Sequence, residues 1–196
     1  DQQKQVDHAI DAFAQVVKAV PKARLEVYGR GVLSGALQAQ IRRLGLTRNV
    51  KLAGFTTDPV AVYRSAGLSL LTSKYEGFGL VLVESLQNGC PVVSYDLAYG
   101  PADIVKDGVT GYLVPPNDRR ALAEAIIRVL RNPDRQAAMS AAAEASTQTF
   151  SEAAFVQRWA ALFGSLAKNL SAAPSARETI RRNHPQGGSD EPADAG

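Results

Sequence analysis

Two glutamates, Glu76 and Glu84, lie eight positions apart and enclose the turn Gly77-Phe78-Gly79. A glycine turn that leads into a helix exposes backbone N–H groups, and such helix starts bind phosphate. Two glycines around one aromatic residue are costly to order, which favours a close approach of the backbone to a ligand. Carboxylates on both sides of a phosphate-binding turn would suit a nucleotide sugar, one for ribose hydroxyls and one for the sugar.

Both carboxylates also have simpler structural interpretations. Glu76 could be a solvated loop residue, and Glu84 could be a polar residue on a half-buried helix. Burial of Glu84 between Val83 and Leu86 without a partner would cost several kcal/mol, which a ligand hydroxyl or a neighbouring donor would relieve. The pair is the leading candidate for a ligand site, with the structural interpretation left open.

Two further features carry weaker signals. Lys4 lies beside a predicted helix start and could reach a phosphate, although a surface lysine is the simpler interpretation. Gly29-Arg30-Gly31 follows a predicted strand, where a tight turn explains the glycines about as well as ligand contact does. The dinucleotide-binding spacing is absent, because Ser34 stands three residues after Gly31, so an NAD site is disfavoured.

Strands alternate with helices along the chain. Apolar residues recur at helical spacing from Val6 to Val20, and Pro21 ends this helix. The stretch 80–86 is ambiguous by propensity, but Gly89 is well placed as a helix cap, which favours a helix. The predicted strands are 25–28, 50–53, 68–71, 91–95 and 111–114, and the predicted helices are 6–20, 33–44, 80–86, 121–130, 134–146 and two that begin near 58 and 151.

This alternation predicts an α/β fold with a Rossmann-like parallel sheet covered by helices on both faces. Ligands bind such sheets at the carboxyl ends of the strands, where the loops 29–31, 73–79 and 96–101 lie. From Ser171 the sequence lacks aromatic residues and is rich in Pro, Gly, Ser, Asp and Arg. We therefore expect one domain over 1–170 and a disordered tail over 171–196.

The composition fits a globular domain and argues against several functional classes. The chain has 196 residues, of which 45% are hydrophobic, and a net charge of +3. It has no run of roughly 18 apolar residues that could span a membrane, and no basic stripe of the kind that binds nucleic acid. The single cysteine, Cys90, is expected to be a buried inert thiol. His8 and His184 are far apart, so a structural metal site is not expected.

Six segments of the chain, taken in order, form a recognisable series. They are Gln3-Lys4-Gln5, Leu25-Glu26-Val27-Tyr28-Gly29-Arg30-Gly31, Val50-Lys51-Leu52-Ala53-Gly54-Phe55, Glu76 to Glu84, Gly89-Cys90-Pro91-Val92-Val93 and Asp107-Gly108-Val109-Thr110-Gly111-Tyr112-Leu113-Val114. In this order and spacing they resemble the C-terminal, donor-binding domain of family-4 (group 1) glycosyltransferases of the GT-B fold, from Asp1 to about Phe163. Stretches 72–76, 94–96 and 99–101 look like members that glucosylate poly(glycerol-phosphate) wall polymers, which implies a UDP-sugar donor.

The resemblance implies a role for each of these positions. The family's E-x7-E motif falls on Glu76, beside the transferred sugar, and on Glu84, which would bind the ribose hydroxyls. Lys4 matches the lysine of an arginine–lysine pair that clamps the diphosphate, and it is implied to be catalytic together with Glu76. The remaining donor-binding positions implied by the resemblance are Gly29, Gly31, Gly54, Phe55, Gly77, Phe78, Gly79 and Leu80.

The implied activity is that of a retaining glycosyltransferase that needs no cofactor or metal and transfers a hexose to a glycan, lipid or wall-polymer acceptor. The family's clamp arginine, first strand and N-terminal acceptor domain have no counterpart in the sequence, so we expect a piece of a longer protein, inactive alone. The expected location is the cytoplasm, with peripheral contact to the inner face of the membrane through that missing domain left open. The alternative is a catalytically inactive nucleotide-sugar-binding module or a truncated remnant.

Overall fold

The computed structural model describes residues 2–172, with side chains to residue 168. The chain divides into two compact units, the first ending at Ser151 and the second beginning at Glu152. The predicted tail over 171–196 lies outside the described residues, apart from the last two positions of a helix that ends at Ala172. Of the helices in this part of the chain, none is both long and apolar enough to cross a bilayer.

The first unit alternates strands and helices, much as the sequence predicts. A short 3-10 turn over Gln2–Lys4 precedes the first α-helix. The elements are α1 Val6–Ala19, β1 Leu25–Tyr28, α2 Ser34–Arg43, β2 Val50–Gly54, α3 Pro59–Ser65, β3 Ser69–Leu71, α4 Leu80–Gln87, β4 Val92–Tyr95, α5 Pro101–Ile104, β5 Gly111–Val114, α6 Arg119–Leu130 and α7 Pro133–Ser146. The second unit contributes α8, Glu152–Ala172.

Every paired strand runs parallel to its neighbour, and the predicted α/β architecture with helices flanking parallel strands is confirmed. The strands are divided between two sheets, β1–β2 and β3–β4–β5. A groove of about 560 Å³, lined by β1 and β3, separates the two sheets. Within residues 2–172, no strand lies between β1 and β3.

The main core lies between α1, α6 and the strand β4. Ile10 and Val16 of α1 are fully buried, as are Leu122 of α6 and Val93 of β4. All four residues of β4 are buried, which is the pattern of a central parallel strand covered on both faces. Cys90 is buried just before this strand, and burial raises the pKa of its thiol, so the predicted inert thiol is confirmed as a buried one.

Helix α4 resolves the ambiguity at 80–86. Gly79 precedes it in the left-handed region at φ 89°, and Gly89 follows it at φ 67°, the conformation of a glycine cap. The valines at 81 and 83 accept the helical conformation because Leu82, Val83 and Leu86 bury its inner face. The helix therefore begins directly after the glycine turn and presents its first amides at the carboxyl end of β3.

Candidate functional site

The carboxyl ends of the strands carry a rim of exposed aromatic side chains. Tyr28 ends β1, Phe55 follows β2, Tyr75 and Phe78 follow β3, and Tyr99 follows β4. Phe55 is 67% exposed and Tyr99 75% exposed. Large apolar groups left exposed together mark a surface that contacts a ligand or a partner.

Lys4 and Glu76 meet at this rim. The Lys4 Nζ donates to Glu76 Oε1 at 2.7 Å, and their side chains are 43% and 10% exposed. The Ser73 hydroxyl donates to the same carboxylate oxygen at 2.5 Å. The interpretation of Glu76 as a solvated loop carboxylate is wrong, because this carboxylate is largely buried and held by two donors.

The turn that carries Lys4 is attached to the segment after β3 by backbone and side-chain bonds. The Lys74 amide donates to the Gln3 carbonyl at 2.8 Å. The Thr72 hydroxyl lies 2.9 Å from the Lys4 carbonyl and 3.0 Å from that of Gln5. Contacts across such a sequence separation explain why sequence reasoning missed Thr72. The role of Ser73 was missed although its acceptor is only three positions away. The available signal was two hydroxyl residues between a strand and Glu76.

The glycine turn packs against the loop that follows β4. Gly77 and Phe78 are exposed, whereas Gly79 is buried at the start of α4. A Cβ at Gly100 would overlap the Phe78 carbonyl oxygen and lie 2.9 Å from its carbon. The first amides of a helix lack partners within the helix, so the exposed turn and the start of α4, including Leu80, can receive an anion.

Glu84 lies on the second turn of α4 and is exposed. The interpretation of Glu84 as a polar residue on a half-buried helix fits this position, since Leu82, Val83 and Leu86 cover only the inner face of α4. Because Glu84 itself is exposed, no burial cost requires a partner for it. Burial raises the pKa of Tyr63 on α3 to about 12, with the charge of Glu84 as the next cause. Glu84 is thus exposed and near enough to Tyr63 of α3 for its charge to act on that hydroxyl.

A second group of predicted residues joins the ends of β1 and β2. The Gly29 amide donates to the Gly54 carbonyl at 2.7 Å. Both glycines have positive φ, 131° and 77°, which a side chain would strain. Gly31 is exposed beside them, and the Arg30 guanidinium lies 5.8 Å from the centre of the Phe55 ring. The structure therefore collects the predicted residues in two groups, one around Glu76 and one around Gly54.

His8 lies beneath the rim, on the first turns of α1, where it is buried. Its Nδ1 lies 3.1 Å from the Tyr95 hydroxyl. Burial lowers the pKa of His8, and the charge of Arg119 lowers it further, while Asp7 and Asp11 act in the opposite direction. Neutral His8 is therefore the form that the fold favours.

Folding stability should fall as the pH decreases below about 6.5, the pKa of a histidine in the unfolded chain. The unfolded chain then binds a proton that the folded protein binds only at lower pH. The loss is at most about 1.4 kcal/mol per pH unit for this one group. Urea unfolding at about pH 7.5 and 5.5 measures it. In His8→Gln the loss should be smaller than in the parent protein, and an identical loss in both would assign the effect to other groups.

The described part of the chain contains no cluster of potential metal ligands. Between residues 2 and 172, no group of three or more His, Cys, Asp or Glu side chains is placed to hold a metal ion. The charged groups at the rim include the cations Lys4 and Arg30 and the carboxylates Glu76 and Glu84. These groups can bind an anion next to a hydroxyl-rich ligand.

Comparison with known proteins agrees with this geometry. The sequence model of the family described as "Glycosyl transferases group 1" matches residues 1–146. The chain is 36% identical over 157 residues to the poly(glycerol-phosphate) alpha-glucosyltransferase of Bacillus subtilis (strain 168), covering 80% of this chain and 23% of that protein. It is 38% identical over 164 residues to the exopolysaccharide phosphotransferase SCO2592 of Streptomyces coelicolor, covering 83% and 17%.

Among solved structures, Anabaena Alr3699/HepE in complex with UDP superimposes with a TM-score of 0.77 at 30% identity. The match covers 84% of this chain and 46% of that one. The chain thus spans less than half the length of each of these three proteins, 23%, 17% and 46%. The predicted resemblance to group 1 enzymes, and to the poly(glycerol-phosphate) branch among them, is confirmed.

Proposed function

The chain belongs to the group 1 glycosyl transferases, and on that premise we propose that it binds the UDP-sugar donor of a retaining glycosyltransferase. The transferred hexose passes to a glycan, lipid or wall polymer. The relative from Bacillus subtilis, named for poly(glycerol-phosphate), favours a wall polymer. The family assignment favours glycosyl transfer over the phosphoryl transfer for which the Streptomyces relative is named.

The observation that carries the proposal is the contact of Lys4 with Glu76 beside an exposed glycine turn. A nucleotide sugar places a diphosphate directly next to a hexose, so its site needs a cation and a hydrogen-bonding carboxylate within a few ångströms. Lys4 Nζ and Glu76 Oε1 are 2.7 Å apart. The start of α4 adds backbone amides that favour negative charge.

Negative charge develops on the diphosphate as the bond to the sugar breaks. Lys4 and the amides of residues 77–80 would stabilise this charge from fixed positions, which is the main source of catalysis in this proposal. Glu76 would orient the sugar and stabilise positive character at the anomeric carbon. Glu84 would bind the ribose hydroxyls, and the group around Gly54 would hold the base. None of these steps uses a metal ion.

Transfer itself needs an acceptor side, which we assign to a second domain of a longer protein. The support is that the chain spans only 23% of its Bacillus relative. Action in the cytoplasm at the inner face of the membrane is part of this proposal, because a UDP-sugar is a cytoplasmic metabolite. The present chain would supply the donor-binding side of the site, and its binding of the nucleotide can be tested directly.

Calorimetric titration of the 196-residue chain with UDP tests the proposal. We expect UDP to bind more tightly than GDP, and Glu84→Gln to weaken UDP binding by about tenfold, the usual cost of a lost charge-assisted hydrogen bond. Glu144→Gln is the matched control, since Glu144 is an exposed glutamate on α7. The proposal fails if UDP does not bind, and the role of Glu84 fails if both variants bind alike.

A further inference from the structure

Ser73 is the one fully buried donor to the Glu76 carboxylate among the described residues. It lies two positions after β3 and is 0% exposed. Its hydroxyl donates to Glu76 Oε1 at 2.5 Å, across the loop that separates the two residues. A short serine side chain in a packed environment has one rotatable bond, so it holds its acceptor in a fixed position.

Lys4 donates to the same oxygen, but it is held differently. Its side chain is 43% exposed and has four rotatable bonds, so its ammonium group can move without disturbing the core. A diphosphate brings more negative charge than one carboxylate and draws the ammonium toward itself. Ser73 cannot follow, because it is buried and carries no charge.

We propose that Ser73 is a positioning residue that keeps Glu76 oriented toward the donor sugar while Lys4 turns to the diphosphate. This inference rests on the proposed function. Ser73 retains Oε1 throughout, and Oε2 accepts from a sugar hydroxyl. Ser73 itself contacts neither the sugar nor the nucleotide.

The experiment compares UDP with UDP-glucose on the 196-residue chain by calorimetry. Ser73→Ala should bind UDP within about twofold of the parent protein and UDP-glucose about tenfold more weakly. The variant loses the charge-assisted hydrogen bond that orients Glu76, and in this proposal Glu76 contacts only the sugar. Ser73→Cys keeps one heavy atom at the hydroxyl position, a slightly larger sulfur that is only a weak donor. It should show the same split, and it serves if the alanine variant does not fold.

Ser94→Ala is the matched control, because Ser94 is also 0% exposed and its hydroxyl donates to the Tyr95 carbonyl instead. This variant should bind both ligands as the parent protein does. Equal weakening of UDP and UDP-glucose by the Ser73 variants would overturn the inference, as would no weakening. A parent protein that binds UDP-glucose no better than UDP would overturn it as well. Failure of the parent to bind either ligand would instead overturn the proposed function.

Discussion

Gly100→Ala should destabilise the fold, lowering the free energy of unfolding by about 3 kcal/mol, and should weaken UDP binding by at least about tenfold. Gly100 has φ 95°, a conformation that strains an alanine. An added Cβ would also lie 2.9 Å from the Phe78 carbonyl carbon. The Phe78–Gly79 peptide must then shift, and it leads directly into the amides at the start of α4. Chemical denaturation and UDP titration of one preparation measure the two effects.

Gly108→Ala separates the backbone strain of a positive φ from the contact with Phe78. Gly108 has φ 73°, and a Cβ there would meet nothing within 4 Å. This variant should lose only the backbone term, about 1–2 kcal/mol, and should bind UDP normally. If Gly108→Ala weakens UDP binding as much as Gly100→Ala does, the contact with Phe78 is not what shapes the turn.

The contact between Gly100 and Phe78 shows which part of the site the sequence could not supply. Periodicity predicted the helix before Pro21 and the strand at 25–28, and Gly89 decided the helix at 80–86. The loop 96–101, by contrast, leads into a short helix, Pro101–Ile104, and its Gly100 lies directly against the Phe78 carbonyl of the glycine turn. Nothing in the local pattern near Gly100 signals a neighbour that lies more than twenty positions earlier in the chain.

The two carboxylates show the same limit in another form. Glu76 and Glu84 belong to one motif in the sequence, yet the Glu76 side chain is largely buried and Glu84 is exposed. The reason is tertiary, because the turn with Lys4 covers one and leaves the other open. The family resemblance placed Lys4 and Glu76 in one site, whereas their direct contact and the bond from Ser73 had to be found in the structure. The division into two sheets also depends on long-range pairing that local pattern does not encode.

Lys4→Met should have the largest effect on ligand binding, a loss of about a hundredfold in UDP affinity. The lysine is the cation placed at the diphosphate in the proposed site, and methionine keeps most of its length without the charge. Folding stability should change by about 1 kcal/mol or less, because Lys4 is 43% exposed and such ion pairs contribute little. Ser73 still holds Glu76 in this variant. Calorimetry with UDP at two salt concentrations measures the effect.

Lys18→Met is the matched control, since it removes the same charge from a protein of net charge +3. Lys18 lies in the last turn of α1, and Lys4 lies before the first residue of that helix. The helix from Val6 to Lys18 is about 18 Å long at 1.5 Å per residue. That separation exceeds the screening length of about 10 Å at 0.1 M salt, so UDP affinity should stay unchanged. A local contact therefore predicts a large loss, with weaker salt dependence, in Lys4→Met alone. Equal losses in both variants would mean that net charge attracts the nucleotide and that Lys4 does not bind the diphosphate directly.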